Sequence, residues 1–291
     1  MINHVAKLGN VSVGENNPVR IMGILNTSPE SFYKKSIKST KQQIVNTVKQ
    51  MEIDGADFID VGGMSTAPYL STSVSEKIES QRVLNAIKTI QNVSNLPISV
   101  DTCRASVARS ALENDVEIIN DISGLKYDAK MIDVIKEYTP SLVLCAFDSK
   151  RVIGDIQSTK NLLKDSIKIA KTSGISSDKI VLDPAVGFFR KSGKGSFFTK
   201  IKSDWLERDM SVIQNLKSIK MNYPILISVS NKSFIGKLLG KENVSDRLFG
   251  SIAAEVVSVI NGADIIRTHN VAQTKDAVVI ASKLSKRNKS L

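Results

Sequence analysis

The chain has 291 residues, 42% hydrophobic and 24% charged, a composition far from disordered or fibrous proteins and long enough for one large core. Its 40 Lys and Arg exceed its 29 Asp and Glu, for a formal charge of +11, but the excess is scattered over places such as Lys34-Lys35 and Arg190-Lys191. With only 5% aromatic residues, that pattern argues for a solvated basic surface rather than a nucleic-acid site, although positive potential can still draw an anionic ligand into a cleft.

No apolar run nears the ~18 residues of a membrane span, and Asn3 and His4 stand where a signal peptide would be apolar, so a cytoplasmic protein without a membrane partner is expected. Cys103 and Cys145 are too few for a disulfide framework or a thiolate zinc site and are expected to be small core residues.

Residues 1–18 hold two alternating stretches around Gly9-Asn10, which predict a hairpin. One unit then repeats: a short apolar strand, polar punctuation and an amphipathic helix. Val19 to Leu25 is the first strand; Ser39-x-x-Gln42 reads as a capping box for a helix burying Ile44, Val48 and Met51. The second unit runs from Phe58 to Val61, with a helix opened by Ser73-x-x-Glu76. The third pairs Ile98 to Val100 with Ala105 to Glu113, and the fourth pairs Ile118-Ile119 with Met131 to Tyr138. Leu142 to Leu144 with Leu162 to Ala170 is the fifth. Ile180 to Leu182 is the sixth strand, followed by an insertion over 190–210 and a helix carrying Val212, Leu216 and Ile219.

The seventh strand, Ile225 to Val229, precedes a long helix with Ile252, Val256 and Ile260. The eighth, Ile265-Ile266, precedes a closing helix from Ala277 to Leu284. Eight units of this kind predict a single (β/α)8 barrel, with the N-terminal hairpin across its floor. An open doubly wound sheet is disfavoured because no G-x-G-x-x-G follows any strand. The basic insertion, with Phe197-Phe198 and Trp205, reads as a surface excursion packing its aromatics on the barrel side rather than as a substrate lid.

Barrel enzymes place active residues at the C-terminal ends of their strands. Here those ends are Asn26, Ser65-Thr66, Asp101, Asn120-Asp121, Cys145-Ala146-Phe147, Asp183, Ser230-Asn231-Lys232 and Arg267-Thr268-His269. Any one could cap a helix, but so many polar groups on one rim are costly to bury without a ligand or water to satisfy them. Asp101, Asp183 and Asn120 suit a flat heterocycle with N–H donors beside ring acceptors, and Lys232 can donate to a ring carbonyl, as a pterin requires. Arg267, His269 and Asn26 stand on neighbouring strands, a second point suited to a phosphate with a hard cation. One oxygen from Asn26 plus diphosphate oxygens would serve Mg2+.

Met22 to Phe32 and Gly62 to Pro68 resemble the two signature segments of dihydropteroate synthases. Ser99 to Thr102, Ile119 to Asp121, Asp183 to Phe188, Ser230 to Phe234 and Arg267 to His269 match further family segments in the family's order, over roughly residues 19–280. The resemblance implies a transferase joining 6-hydroxymethyl-7,8-dihydropterin diphosphate to p-aminobenzoate or a related arylamine. On that resemblance Asp101, Asn120, Asp183 and Lys232 hold the pterin, with Thr66 touching substrate. Asn26, Arg267 and His269 hold the diphosphate and its Mg2+, and Pro68, Ser230 and Asn231 fall in the acceptor region. A homodimer is implied as well.

The chain also departs from the family. Met64 stands where Glu is usual, Ala67 and Asn231 where Arg is usual, Asn270 where Asp is usual, and Cys145-Ala146-Phe147 where Met-His is usual. Losing two arginines predicts weaker p-aminobenzoate recognition and an acceptor that is bulkier or phosphorylated, with Lys34, Lys35 or Arg190 supplying charge. Two alternatives therefore stay open: a methanopterin-type synthase using a ribosylated, phosphorylated aniline, and a pterin-binding, methyltransferase-like protein without synthase activity.

Overall fold

A computed structural model describes residues 5–29, 38, 40–70 and 74–285. Its short strands are buried along nearly their whole length, as Ile- and Val-rich segments are when helices cover one face and a barrel interior the other. After a hairpin of β1 (Val5–Leu8) and β2 (Val11–Gly14), the barrel strands are β3 (Arg20–Asn26), β4 (Phe58–Gly62), β5 (Ile98–Asp101), β6 (Ile118–Asp121), β7 (Ser141–Cys145) and β8 (Ile180–Asp183). A small excursion forms β9 (Phe189–Arg190) and β10 (Thr199–Lys200), and β11 (Leu226–Ile227) and β12 (Ile265–Thr268) complete the barrel. The barrel strands run parallel in the order β11-β12-β3-β4-β5-β6-β7-β8. The ring closes where Leu182 bridges Ile225 and donates its N–H to the Pro224 carbonyl at 2.9 Å.

The helices between them are α1 (Lys41–Ile53), α2 (Glu76–Gln91), α3 (Ala105–Leu112), α4 (Met131–Tyr138), α5 (Ile156–Thr172), α6 (Trp205–Gln214), α7 (Leu216–Ile219), α8 (Ser233–Leu239), α9 (Leu248–Ile260) and α10 (Val271–Leu284). Several details differ from expectation. The capping box of α1 is Thr40 with Gln43, and α2 is capped by Ser75, because these side chains reach the first free amides while Ser39 and Ser73 lie outside the described residues. Asn215, at φ −112 and ψ 23, breaks the expected single helix into α6 and α7. A short helix, α8, follows the seventh barrel strand before α9.

Helix α9 turns a polar face inward and apolar side chains outward. It buries Ser251, Glu255, Ser258 and Val259, whereas Phe249, Val257 and Ile260 are exposed.

Side chains alternate along each strand, so residues two apart share the barrel interior. The lowest interior layer is Met22, Phe58, Ser99, Ile118, Val143, Val181, Leu226 and Ile265, all buried. Its apolar members pack against Ala6, Leu8 and Val13 of the hairpin, which seals the N-terminal floor. With the floor closed by hydrocarbon, the interior is open to ligands from the C-terminal end.

Candidate active site

One step up each strand, the interior changes character. Two residues beyond the apolar layer stand Ile24, Asp60, Asp101, Asn120, Cys145, Asp183, Ser228 and Arg267, and all but Asp60 line a cavity at the C-terminal mouth. A further step adds Asn26, Ile122, Ser230 and His269. The same period of two that makes the floor apolar therefore makes the next two layers polar.

Arg267 is the centre of the cluster. Its Nε donates to Asp60 Oδ2 at 2.6 Å and its Nη2 to Asp101 Oδ2 at 2.7 Å. Asn120 Nδ2 donates to the same Asp60 oxygen at 3.2 Å, while Asp60 Oδ1 is buried without a partner among the described residues. An unpaired buried carboxylate oxygen is a costly feature that a ligand N–H would relieve.

Burial, reinforced by Asp60 and opposed by Arg267, pushes the Asp101 carboxyl up to about 7. Burial also raises Asp183, against the pull of an N–H bond from Ala185 at 2.7 Å. Lys232 is lowered to about 8, first by burial and then by Arg267, with its Nζ 3.9 Å from the Phe188 ring centroid. Gly187, at φ +87, makes this approach possible, since a Cβ there would sit 2.8 Å from the Lys232 side chain. His269 is held down to about 3 by burial, Arg267 and Lys232, so its imidazole is neutral, with Nδ1 3.1 Å from Ser230 Oγ.

The mouth is formed by loops. Thr66, Pro68 and Tyr69 line it from the loop after β4, and Ser230, Lys232 and Ser233 from the turn into α8. The insertion also reaches this rim: Lys194 N–H donates to the Pro68 carbonyl at 2.8 Å, and a Cβ on Gly193 would sit 2.6 Å from that oxygen. Phe197 and Phe198 are buried, with the Phe197 ring 4.9 Å from that of Tyr127. The segment thus buries Phe197 and Phe198 and also touches the Pro68 loop that lines the cavity.

Of the residues singled out from sequence, Asn26, Thr66, Pro68, Asp101, Asn120, Asp183, Ser230, Lys232, Arg267 and His269 line this one cavity. Asn231 does not line it. At φ 60 this buried residue donates its N–H to Ser251 Oγ at 2.9 Å, and its carbonyl accepts from Arg247 Nη1 at 3.1 Å. Lys34 and Lys35 lie outside the described residues. Sequence reasoning missed Asp60, although the alternation of β4 points to it, and missed Tyr69 and Arg247, for which the sequence carries no signal.

Residues 22–269 match the family model described as pterin binding enzyme. A dihydropteroate synthase of Clostridium beijerinckii is 36% identical over 93% of this chain and 96% of its own length. Among solved structures, a dihydropteroate synthase of Clostridium difficile, determined in the presence of pteroic acid, is 36% identical with a TM-score of 0.81, covering 93% of this chain and 98% of that one. Another from Xanthomonas albilineans, holding 4-aminobenzoic acid, is 27% identical with a TM-score of 0.82 over 97% of this chain and 98% of that one. Fold, site and relatives agree: the chain belongs to the pterin binding enzyme family and, within it, to the dihydropteroate synthases.

Proposed function

We infer that the protein joins 6-hydroxymethyl-7,8-dihydropterin diphosphate to p-aminobenzoate and releases diphosphate. The observation that carries this reading is the polar layer, in which Asp60, Asp101, Asp183 and Asn120 gather with Arg267 and Lys232 at the mouth of an otherwise apolar barrel. Such a set matches the ring N–H donors and carbonyl of a pterin better than any purely apolar or purely anionic ligand. The relatives' activity and the 4-aminobenzoic acid in a neighbouring structure support the same substrate pair.

In this reading Asp101, Asn120, Asp183 and Lys232 hold the pterin, and Thr66 touches it from above. Asn26, Arg267 and His269 face the diphosphate, with Ser230 and Pro68 bordering the acceptor and Asn231 shaping the turn beneath it. The bond between the pterin methylene carbon and the diphosphate oxygen breaks ahead of amine attack, while the dihydropterin ring spreads the positive charge. Arg267 and the neutral His269 donate to the departing oxygens. The aniline nitrogen, neutral at pH 7, attacks the carbon and then releases its proton to solvent, so no side chain acts as general base.

Among the described residues, no group of three His, Cys, Asp or Glu side chains is placed to hold a metal. Asn26 instead offers a hard amide oxygen at the mouth, a donor set that fits Mg2+ entering with the diphosphate. Asn26 would hold that ion, which would neutralise charge on the leaving group.

The reading also takes residues 1–291 as one cytoplasmic domain; no described helix is long and apolar enough to cross a membrane. The outward apolar face of α9 supports a homodimer. Diphosphate release tests the chemistry. It should require both substrates, and equally fast release from the pterin diphosphate alone would mark a hydrolase and contradict the synthase reading.

A further inference from the structure

The insertion touches the wall of the site from a root fixed to the body of the barrel. Strands β9 and β10 pair in parallel, with Phe189 beside Thr199 and Arg190 beside Lys200. The Asp148 N–H donates to Thr199 Oγ1 at 3.0 Å and the Val152 N–H to the Lys200 carbonyl at 2.9 Å, which ties the pair to the segment after β7. Arg190 adds an ion pair with the buried Asp209 at 3.3 Å.

From that root a glycine turn reaches the loop after β4. The Pro68 carbonyl accepts two N–H groups from it, Lys194 at 2.8 Å and Gly195 at 3.2 Å, one for each lone pair. The receiving segment is itself a turn, closed by the Leu70 N–H donating to the Ala67 carbonyl at 3.0 Å. The two backbones meet too closely for side chains between them. A Cβ on Gly193 would stand 2.6 Å from the Pro68 oxygen and 2.8 Å from the ring of the buried Phe198, so this residue is clasped from both sides. A Cβ on Gly195 would stand 3.1 Å from the Leu70 oxygen and 3.3 Å from that of Ala67.

We propose that Gly193 and Gly195 are positioning residues for the reaction: their turn clamps the loop after β4 and holds Thr66, Pro68 and Tyr69 in place as the outer wall of the cavity. The inference rests on the synthase reading and deepens it, giving the insertion the part of a strut. Asp101, Asn120 and Asp183 stand on strand ends that the clamp does not touch, so loss of the clamp falls on the acceptor rather than on the pterin. A wall already ordered when the acceptor arrives lowers the entropy lost on binding it.

The test takes Gly193→Ala and Gly195→Ala in the full chain and reads them in two ways. Chymotrypsin cutting after Tyr69 reports on the loop, and cutting after Phe249, within α9, reports on general loosening. The cut after Tyr69 should quicken at least fivefold in Gly193→Ala, and less in Gly195→Ala, with the cut after Phe249 unchanged. With Mg2+ and the pterin diphosphate, KM for p-aminobenzoate should rise at least fivefold in Gly193→Ala, while pterin affinity by calorimetry stays within twofold of the parent. Both cuts quickening together, or equal losses in pterin affinity and acceptor KM, would mark the glycines as structural. An unchanged cut after Tyr69 or an unchanged KM would show that the turn does not position the loop; any of these results overturns the proposal. If Gly193→Ala fails to fold, Gly195→Ala, the milder intrusion, carries the same readings. Unaltered protein that makes no product contradicts the synthase reading, while the cut after Tyr69, which needs no turnover, still decides the clamp.

Discussion

Asp183 is buried at the end of β8 and lines the cavity, and one of its oxygens already accepts the Ala185 N–H. Replacing it with Ala would leave ring N–H donors of a bound pterin unpaired, at a cost of ~1–3 kcal/mol. Calorimetry should therefore find pterin binding weakened at least tenfold; unchanged affinity would misplace the pocket. Arg267 has a different outlook. A residue serving only the diphosphate could be removed with little effect on a pterin lacking that group, but Arg267 pairs with Asp60 and Asp101. Arg267→Ala would strand two carboxylates and should cost about 3–5 kcal/mol of stability. Thermal unfolding should drop accordingly, and affinity for the bare pterin should fall together with turnover. A variant as stable as the parent would show that the pairs are loose.

The strand-end residues were legible at this scale because the barrel rule names positions before any contact is known. Asp60 was harder to see, standing inside an apolar run and exposed as functional only by counting back by two from Gly62. Arg247 was illegible because its approach to the Tyr69 and Asn231 region depends on how the chain folds back after α8.

Helix α9 shows what helical periodicity leaves open. Its apolar residues recur at helical spacing, the usual mark of a core face, yet Ser251, Glu255 and Ser258 are the side chains it buries. Periodicity finds a stripe but does not say which neighbour covers it. The buried face has its own logic: Thr274 Oγ1 donates to Glu255 Oε2 at 2.8 Å and lies 3.0 Å from Thr268 Oγ1, linking α9 to the segment that carries Arg267 and His269.

Burial pushes Glu255 from 4.5 up to about 7, against hydrogen bonds from Thr274 and Thr268. Between those values the folded state holds a proton that the unfolded state has released. Its contribution is complete below about pH 4.5 and is lost as pH rises through 7. Urea unfolding should show Glu255→Gln losing less stability than the parent between pH 5 and 8, by up to about 3 kcal/mol. Parallel curves for the two proteins would mean that Glu255 is already ionised.

For the whole molecule, the interior reads as stacked layers, apolar beneath and polar above. The eight barrel strands, their order and the hairpin were legible, because each follows from alternation and from the parallel-barrel rule, whereas the short β9–β10 pair was not. The role of the insertion was not, since its contact with Pro68 joins segments more than a hundred residues apart. Leu238, Leu239, Phe249, Val257 and Ile260 form exposed apolar surface on α8 and α9, more than scattered single residues would. A second copy of the chain is the occupant this account expects. Sedimentation should give twice the monomer mass, and Phe249→Asp should shift the protein toward monomer; a parent that sediments as a monomer at micromolar concentration would remove the dimer.

The central claim is that this polar layer binds the pterin diphosphate and forms a carbon–nitrogen bond to an arylamine. Its most direct test is mass-resolved analysis of the purified chain incubated with Mg2+, 6-hydroxymethyl-7,8-dihydropterin diphosphate and p-aminobenzoate. The account predicts 7,8-dihydropteroate, formed one for one with diphosphate and abolished in Asp183→Ala; substrates left unchanged, or hydroxymethyl-dihydropterin as the sole pterin product, would contradict it.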